Sequence, residues 1–207
     1  MKTNLVKIAV TAALVAAPLM ANAESAFTTG AGTPITASAH LDFQITIPKI
    51  LYLQVGTGTS MAANATINQI AFSVPAANVG DGSVISATAG SGDLGNGVVT
   101  ARVIGNNGTV TFTSTTLGAL GNGSGDTISY GQIATAAAAN TSATVLAHPA
   151  LADAATTTVT LTPASGKVIN RDAKWTYTYT NANVVAPGTY GGTNANNSRV
   201  TYTASMP

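Results

Sequence analysis

Apolar and polar residues alternate with a period of two along most of this chain, and this alternation constrains the fold more than any other feature. Successive side chains of a β-strand point to opposite faces of the sheet, so the alternation predicts strands with one buried face. Candidate strands cover 41–47, 50–55, 67–74, 84–89, 97–104, 109–116, 127–133, 156–162, 172–181, 189–193 and 198–206. Strands at this spacing, bounded by Gly, Asn and Pro, predict an all-β fold: a single antiparallel β-sandwich of about nine or ten strands over 39–207.

The first 23 residues have the pattern of a secretory signal peptide. Lys2 and Lys7 precede an apolar run over 8–19, and Ala21-Asn22-Ala23 forms a cleavage site ahead of Glu24. The apolar run is shorter than the roughly 20 residues that a membrane-spanning helix needs. We therefore expect no membrane span and an exported mature protein, located in the periplasm, on the cell surface or outside the cell. Residues 24–38 contain few large apolar groups and are expected to form a loose N-terminal arm.

Charged residues make up only 7% of the sequence, against roughly 25% in an average soluble domain. Without the predicted signal peptide, six basic and seven acidic residues remain. Nucleic-acid binding requires clustered Lys and Arg for phosphate contacts, so we expect no nucleic-acid partner. A disordered chain is also excluded, because 45% of the residues are hydrophobic. Thr is abundant, and the chain contains no Cys.

The turn Gly105-Asn106-Asn107-Gly108 predicts a β-hairpin between the strands at 97–104 and 109–116. The segment 134–153 is ambiguous. Its alanine run favours helix, but Asn140, Thr144 and Pro149 interrupt the pattern, so we expect a loop with at most one helical turn.

Two glycine-rich loops, 91–97 and 120–126, would lie at the same end of that hairpin. Oxygen-bearing side chains in these loops could then converge on Ca²⁺, which prefers such ligands. The candidate metal ligands are Asp93, Asn96, Asn122 and Asp126. The alternative is that both loops are ordinary solvated loops, since their spacing matches no established calcium motif. We expect no other cofactor.

Trp175, Tyr177 and Tyr179 share one face of a strand whose other face carries Lys and Thr. These aromatic residues are predicted to lie in the core, with a sugar-binding platform as the alternative.

No catalytic motif is present: the chain has neither a Cys nucleophile nor a G-x-S-x-G or H-E-x-x-H pattern. His40 and His148 are isolated in the sequence and are interpreted as surface or packing residues. We therefore predict no enzymatic activity and no catalytic residues.

The C-terminal part carries a family resemblance. Pro187-Gly188-Thr189-Tyr190 places a Tyr as in the tyrosine corner of immunoglobulin-like sandwiches, where its hydroxyl caps a nearby backbone group. Together with 175–181 and the alternating end 199–207, it resembles uncharacterised exported proteins of Gram-negative bacteria. It is also similar, more distantly, to pilin-like subunits of the chaperone–usher and spore-coat-protein-U type. That resemblance implies an immunoglobulin-like, pilin-like sandwich whose subunits polymerise when an N-terminal arm completes the next subunit's sheet.

Two functions remain open on the sequence. The first is a structural or adhesive surface protein, a pilus or fibre subunit that self-associates, or joins other surface subunits, by strand addition. It is favoured by the scarcity of charge on two strands, because edge strands are usually guarded by charge: the strand at 156–162 has none, and the strand at 198–206 has only Arg199. The second is a monomeric module that binds extracellular polysaccharide, with a glycan as partner, through the loops 91–97 and 120–126.

Overall fold

Residues 25–207 are described by the structure, a computed structural model, so the predicted signal peptide over 1–23 lies outside the described residues. Within the described part the chain forms ten β-strands and two single-turn 3-10 helices. The strands are β1 (Leu51–Val55), β2 (Ile85–Ser86), β3 (Val98–Gly105), β4 (Val110–Thr115), β5 (Leu120–Gly121), β6 (Thr127–Ile128), β7 (Ile133–Ala138), β8 (Thr156–Leu161), β9 (Ile169–Tyr179) and β10 (Thr201–Ser205). The 3-10 turns cover Ala76–Asn78 and Tyr130–Gln132. The predicted all-β class is confirmed.

Two antiparallel sheets form the layers of a sandwich. In the first sheet, β3 lies between β1 and β9, and β9 also pairs with β2 and β7. In the second sheet, β4 lies between β10 and β8. The short strands β5 and β6 form a separate ribbon. The predicted antiparallel sandwich is therefore present, although its strands are divided among three sheets.

The hydrophobic core lies between the two large sheets, because each contributes its apolar alternate positions to it. Val99, Ala101 and Val103 of β3 are buried on one side, and Val110 and Phe112 of β4 are buried on the other.

The aromatic side of β9 completes this core. Trp175 is fully buried and stacks on Phe112 with ring centroids 5.9 Å apart, and Tyr177 and Tyr179 are buried as well. The prediction that these three aromatic residues are core residues is confirmed.

The described chain divides into two units, of which the first ends at Ile47 and the second is Pro48–Pro207. No residue between 25 and 50 belongs to a helix or a strand. The expected strand over 41–47 is therefore not formed, and those residues belong to the first unit together with the expected arm. The expected strand after Pro48 is present as β1.

The predicted hairpin between β3 and β4 is wrong. The turn after Gly105 is present, but β3 pairs with β1 and β9, whereas β4 pairs with β10 and β8. The chain therefore crosses here from one sheet to the other. A two-residue turn at 106–107 would place Val103 opposite Val110, so the phase of the apolar pattern fits a hairpin as well as a crossing between sheets. Crossing between the sheets lets Val103 and Val110 both point into the core.

The expected loop over 134–153 is also corrected, because Ile133–Ala138 form the strand β7 beside β9. Tertiary pairing here overrides the helix propensity of alanine, which is a weak preference. After β7 the chain turns at Thr141 and Ser142, which together donate four hydrogen bonds to the buried carboxylate of Asp172. Burial raises the pKa of Asp172, but these hydrogen bonds outweigh it and hold the pKa at about 2.

Four further expected strands are absent or reduced. The segments 84–89 and 127–133 shorten to the two-residue strands β2 and β6. The segment 189–193 is irregular, and of the segment 67–74 only Phe72 forms a β-bridge, to Ala87. The hydroxyl of Tyr190 nevertheless donates a hydrogen bond of 2.8 Å to the carbonyl of Ala186. The backbone cap predicted for this Tyr is therefore formed, without the strand that was expected to follow it.

We predict that Trp175→Ala lowers the free energy of unfolding by about 3–5 kcal/mol, because it leaves a cavity between the two sheets. Urea denaturation followed by circular dichroism measures the loss. Lys174→Ala, at the exposed neighbouring position of β9, is the control and should change stability by less than about 0.5 kcal/mol. Equal losses for the two variants would contradict this account of the core.

Candidate functional site

The strand β10 has one open edge. Its residues pair with β4 along one side, and no strand of the described chain pairs with its other side. An open strand edge presents unpaired backbone N–H and C=O groups, which makes it a template for another strand. Thr201–Ser205 contain no charged residue that would repel one.

The edge strand of the other sheet, β1, lies next to β10, so the open edge borders a seam between the two sheets. Leu51 and Met206 meet across Gly105: a Cβ added to this glycine would lie 3.4 Å from Leu51 Cδ1 and 3.1 Å from Met206 Sδ. The end of β10 is anchored at the same place, because Lys49 Nζ and Asn107 Nδ2 both donate hydrogen bonds to the Pro207 oxygen, at 2.7 and 2.6 Å.

The apolar side chains along this seam are only partly covered. On β10 and its extension these are Tyr202, Ala204 and Met206, and on β1 they are Leu53 and Val55. All five pack against the buried core and are half-buried themselves, whereas the inward side chains of the central strand β4 are buried. The seam between β1 and β10 thus exposes the margin of the core.

The opposite seam, between β7 and β8, is closed by the connection between these two strands. Leu146 is fully buried there and its carbonyl accepts the Trp175 Nε1 hydrogen bond at 2.8 Å. Ser114 of β4 and Thr157 of β8 donate hydrogen bonds to the carbonyl of Ala150 in the same connection. The connection between β7 and β8 therefore packs into this seam, although Val159 of β8 remains half-buried and no strand of the described chain pairs with the outer edge of β8.

A hydrogen-bonded cluster joins β10 to this connection. His148 Nε2 lies 3.0 Å from the Tyr177 hydroxyl and 2.7 Å from the Tyr202 hydroxyl, and the two hydroxyls are 3.0 Å apart. Burial lowers the pKa of His148 to about 4, and burial raises the pKa of Tyr177 to about 12. All three side chains are therefore neutral near pH 7, and His148 is a packing residue, as the sequence indicated.

The first unit contains a run of exposed apolar side chains. The alternating apolar residues of 41–47 are exposed by 70% at Leu41, 85% at Phe43, 84% at Ile45 and 76% at Ile47. Single exposed apolar residues are common on protein surfaces, but contiguous ones mark a site of interaction. Their period of two means that they would share one face if this segment joined a sheet.

The outer face of the second sheet consists of hydroxyl side chains only. Directly paired residues form three rows across β10, β4 and β8: Thr201–Thr115–Thr156, Thr203–Thr113–Thr158 and Ser205–Thr111–Thr160. The hydroxyls of Thr115 and Thr156 lie 2.8 Å apart and form a cross-strand hydrogen bond. This face carries no charge, so it does not oppose the approach of another strand beside β10.

The four candidate calcium ligands lie in two separate loops. Asp93 accepts a hydrogen bond of 2.8 Å from the backbone N–H of Thr100, and Asn96 has a left-handed backbone with a φ of 53°. In the other loop the side-chain amide of Asn122 donates to Asp126 at 2.8 Å. The loss of the expected hairpin removes the reason for placing the two loops together. Among residues 25–207, no group of three or more His, Cys, Asp or Glu side chains is placed to hold a metal ion.

No helix formed by the described residues is long and apolar enough to cross a membrane.

Comparisons with family models, with curated proteins and with solved structures find no match for this chain. The geometry of the chain itself therefore carries the functional argument.

Sequence reasoning assigned residues 41–47 to the sandwich and placed the assembling arm at 24–38, so it did not identify the exposed apolar segment. A signal was present in the sequence: 41–47 alternates regularly and ends at Pro48, while 24–38 has little alternation. The alternation shows that one face of this segment requires burial, but not in which molecule.

We predict that His148→Gln reduces the destabilisation of the protein at acidic pH. The pKa of His is about 6.5 in an unfolded chain and about 4 for His148 in the folded protein. The unfolded state therefore binds a proton in this window that the folded state does not, and stability falls as the pH falls from about 6.5 to about 4. Urea midpoints at about pH 7 and about pH 4.5 measure the effect.

Tyr177→Phe serves as the control, since it removes the Tyr177 hydroxyl and its hydrogen bonds to His148 and Tyr202 but keeps the imidazole buried and titratable. It should retain the acid destabilisation that His148→Gln reduces. The prediction is wrong if the urea midpoint changes with pH by the same amount in the wild-type protein and in His148→Gln. His148 would then have the same pKa in the folded and the unfolded state.

Proposed function

We propose that this protein is a non-enzymatic, exported structural subunit of a surface fibre that assembles by strand addition. In this proposal, residues 41–47 of one copy form a strand along the open edge of β10 in the next copy. The exposure of the alternating apolar residues of 41–47 is the observation that carries it.

The apolar residues of 41–47 supply the driving force in this proposal. Burying a large apolar side chain stabilises an interface by roughly 1.5–3 kcal/mol. Four such side chains stand on one face of the segment once it is extended. The seam between β1 and β10 offers them partly covered apolar neighbours, among them Leu53, Val55 and Ala204.

The backbone supports the same arrangement. An added strand satisfies the free N–H and C=O groups of β10 with main-chain hydrogen bonds, which is the general mode of strand addition. Neither β1 nor β10 contains a charged residue, so the edge lacks the usual guard against pairing with another chain.

The place of the donor segment differs from the one expected on the sequence. Residues 24–38 were expected to act as the arm, but 25–38 contain only Phe27 and Ile35 as large apolar side chains. The proposal assigns the donor role to 41–47, and residues 48–50 connect this segment to β1 of its own sandwich.

A role in adhesion fits the same assembly. The three hydroxyl rows on the outer face of β10, β4 and β8 would be repeated by every subunit along a fibre. Export through the predicted signal peptide would bring such a fibre to the cell surface.

We predict that Phe43→Asp combined with Ile45→Asp abolishes assembly and leaves the folded subunit intact. A charge at either position would have to be buried in the neighbouring subunit without a partner, which is strongly unfavourable. In the isolated subunit both side chains are exposed, so the stability of the sandwich should not change. Electron microscopy and size-exclusion chromatography of concentrated exported protein measure assembly, and thermal unfolding measures stability.

The matched control is Gln44→Asp combined with Thr46→Asp, which introduces the same charges on the other face of the segment. These side chains would remain in solvent beside the hydroxyl face, so fibres should still form. A wild-type protein that stays monomeric at high concentration would overturn the proposal, and so would assembly that survives Phe43→Asp with Ile45→Asp.

A further inference from the structure

The pairing of the donor segment can be specified further, on the basis of the strand addition proposed above. We infer that the partner is a second copy of this chain, and that residues 41–47 pair antiparallel with its β10 in the register that places Phe43 opposite Ala204.

The donor segment and the acceptor strand have equal numbers of apolar residues. The donor has four alternating apolar residues, and the last part of the chain has four alternating half-buried apolar residues. The donor residues are Leu41, Phe43, Ile45 and Ile47, and the acceptor residues are Val200, Tyr202, Ala204 and Met206. In the inferred register every donor residue lies opposite an acceptor residue: 41 with 206, 43 with 204, 45 with 202 and 47 with 200.

The period-two alternation excludes every register that is shifted by an odd number of residues from the inferred one. A slip by one residue would turn all four apolar side chains of the donor toward solvent. A slip by two residues keeps the faces correct, but it moves one apolar residue beyond the matching set of four. Among antiparallel registers, only the inferred one leaves no apolar residue unmatched. A parallel register that pairs 41 with 200 also matches all four residues, but it places Ile45 instead of Phe43 opposite Ala204.

The sizes of the side chains select the same register. Ala204 is the smallest of the four acceptor side chains and leaves the most room beside β10, while Phe43 is the largest donor side chain. Slips by two residues would place Phe43 opposite Tyr202 or Met206 and would leave the space beside Ala204 to a smaller residue. Alternating large and small side chains across facing positions is how cores reach their normal density.

The antiparallel direction of the donor strand follows from the same residue pairs. A parallel strand with Phe43 opposite Ala204 would place Ala39, instead of Ile47, opposite Val200. Both large sheets of the sandwich are built from antiparallel ladders, and antiparallel pairing is slightly more stable per residue.

The polar face of the donor agrees with this register. Asp42, Gln44 and Thr46 would lie opposite Ser205, Thr203 and Thr201, which are the first members of the three hydroxyl rows. Each row would then gain a fourth polar residue from the neighbouring subunit. The added strand would therefore continue both faces of the second sheet, the apolar inner one and the polar outer one.

Cysteine cross-linking tests the register, because the chain contains no Cys of its own. The variant that carries Gln44→Cys and Thr203→Cys places two exposed thiols directly opposite each other across the proposed interface. Directly opposite residues of antiparallel strands have Cα atoms about 4.5–5.5 Å apart, within the range of about 4.4–6.8 Å that a disulfide requires. We expect a ladder of disulfide-linked multimers on denaturing gels, which collapses to the monomer with reductant.

Two matched controls keep Gln44→Cys and move only the second thiol, to Thr201→Cys or to Ser205→Cys. Both pairs would be diagonal in the inferred register, with the two residues about 7–8 Å apart, beyond the reach of an unstrained disulfide. They should give no ladder, although assembly itself should be retained in all three variants.

Assembly is measured on the same reduced samples by electron microscopy, so that the two proposals fail in different ways. Fibres that form a ladder only with the 44/203 pair support the inference. Fibres that form a ladder with 44/201 or 44/205, or with none of the three pairs, overturn the register while the strand addition stands. Reduced samples that contain no fibres overturn the proposed function and, with it, the basis of this inference.

Discussion

The packing of Trp175 between the two sheets is the contact on which the rest of the sandwich depends. Its ring stacks on Phe112 of the opposite sheet, and Tyr202 of β10 lies 5.5 Å away between ring centroids. Its indole N–H is bonded to the carbonyl of Leu146, so the same side chain also fixes the connection that closes the seam between β7 and β8. One residue of the central strand thus ties together both sheets and the closed seam. At the other seam, β1 and β10 leave half-buried apolar side chains at the margin of the core.

In the functional proposal, the seam between β1 and β10 and the exposed segment 41–47 are complementary. A sandwich that lacks a covering strand at one seam has unsatisfied backbone groups and partly exposed apolar surface at the same place. Residues 41–47 have the corresponding properties: they form no secondary structure, and their apolar side chains are exposed along one alternating face. A strand formed by 41–47 would provide hydrogen-bond partners for the backbone of β10, and the seam would bury the apolar side chains of that strand. Pairing between copies also gives a head-to-tail contact, and such contacts continue into filaments when the rotation between subunits does not close a ring.

The sequence predicted the strands whose alternation reports directly on a buried face. The strands β1, β8, β9 and β10 lie where the pattern placed them, and the aromatic side of β9 is in the core, because side-chain polarity and strand geometry have the same period. Pairing partners were harder to predict, since a turn signal such as Asn106-Asn107 fits both a hairpin and a crossing between sheets. The phase of the apolar pattern does not distinguish the two, because a hairpin with a two-residue turn would also place Val103 opposite an apolar residue, Val110. The alanines of β7 were misjudged because local propensity is weaker than pairing with β9. For the candidate site, the alternation of 41–47 and the uncharged edge were visible in the sequence. The open seam was not, because it depends on which strands the chain places at each edge.

The low charge of the sequence acquires a physical reason in this architecture. Soluble β-proteins normally place Lys or other charges on edge strands, which prevents unwanted pairing between chains. A charge on the inward face of β10 would have to be buried against the added strand, so a protein that assembles by strand addition must keep these positions uncharged. Threonine suits such a strand, because it favours the β conformation and presents a hydroxyl to water without adding charge. The rows on the outer face are the result: eight Thr and one Ser occupy the nine positions where other sheets would carry Lys and Glu. In the proposed assembly, solubility of the free subunit would depend on shielding 41–47 until it meets its acceptor, and specificity would depend on the spacing of four apolar side chains instead of on charge.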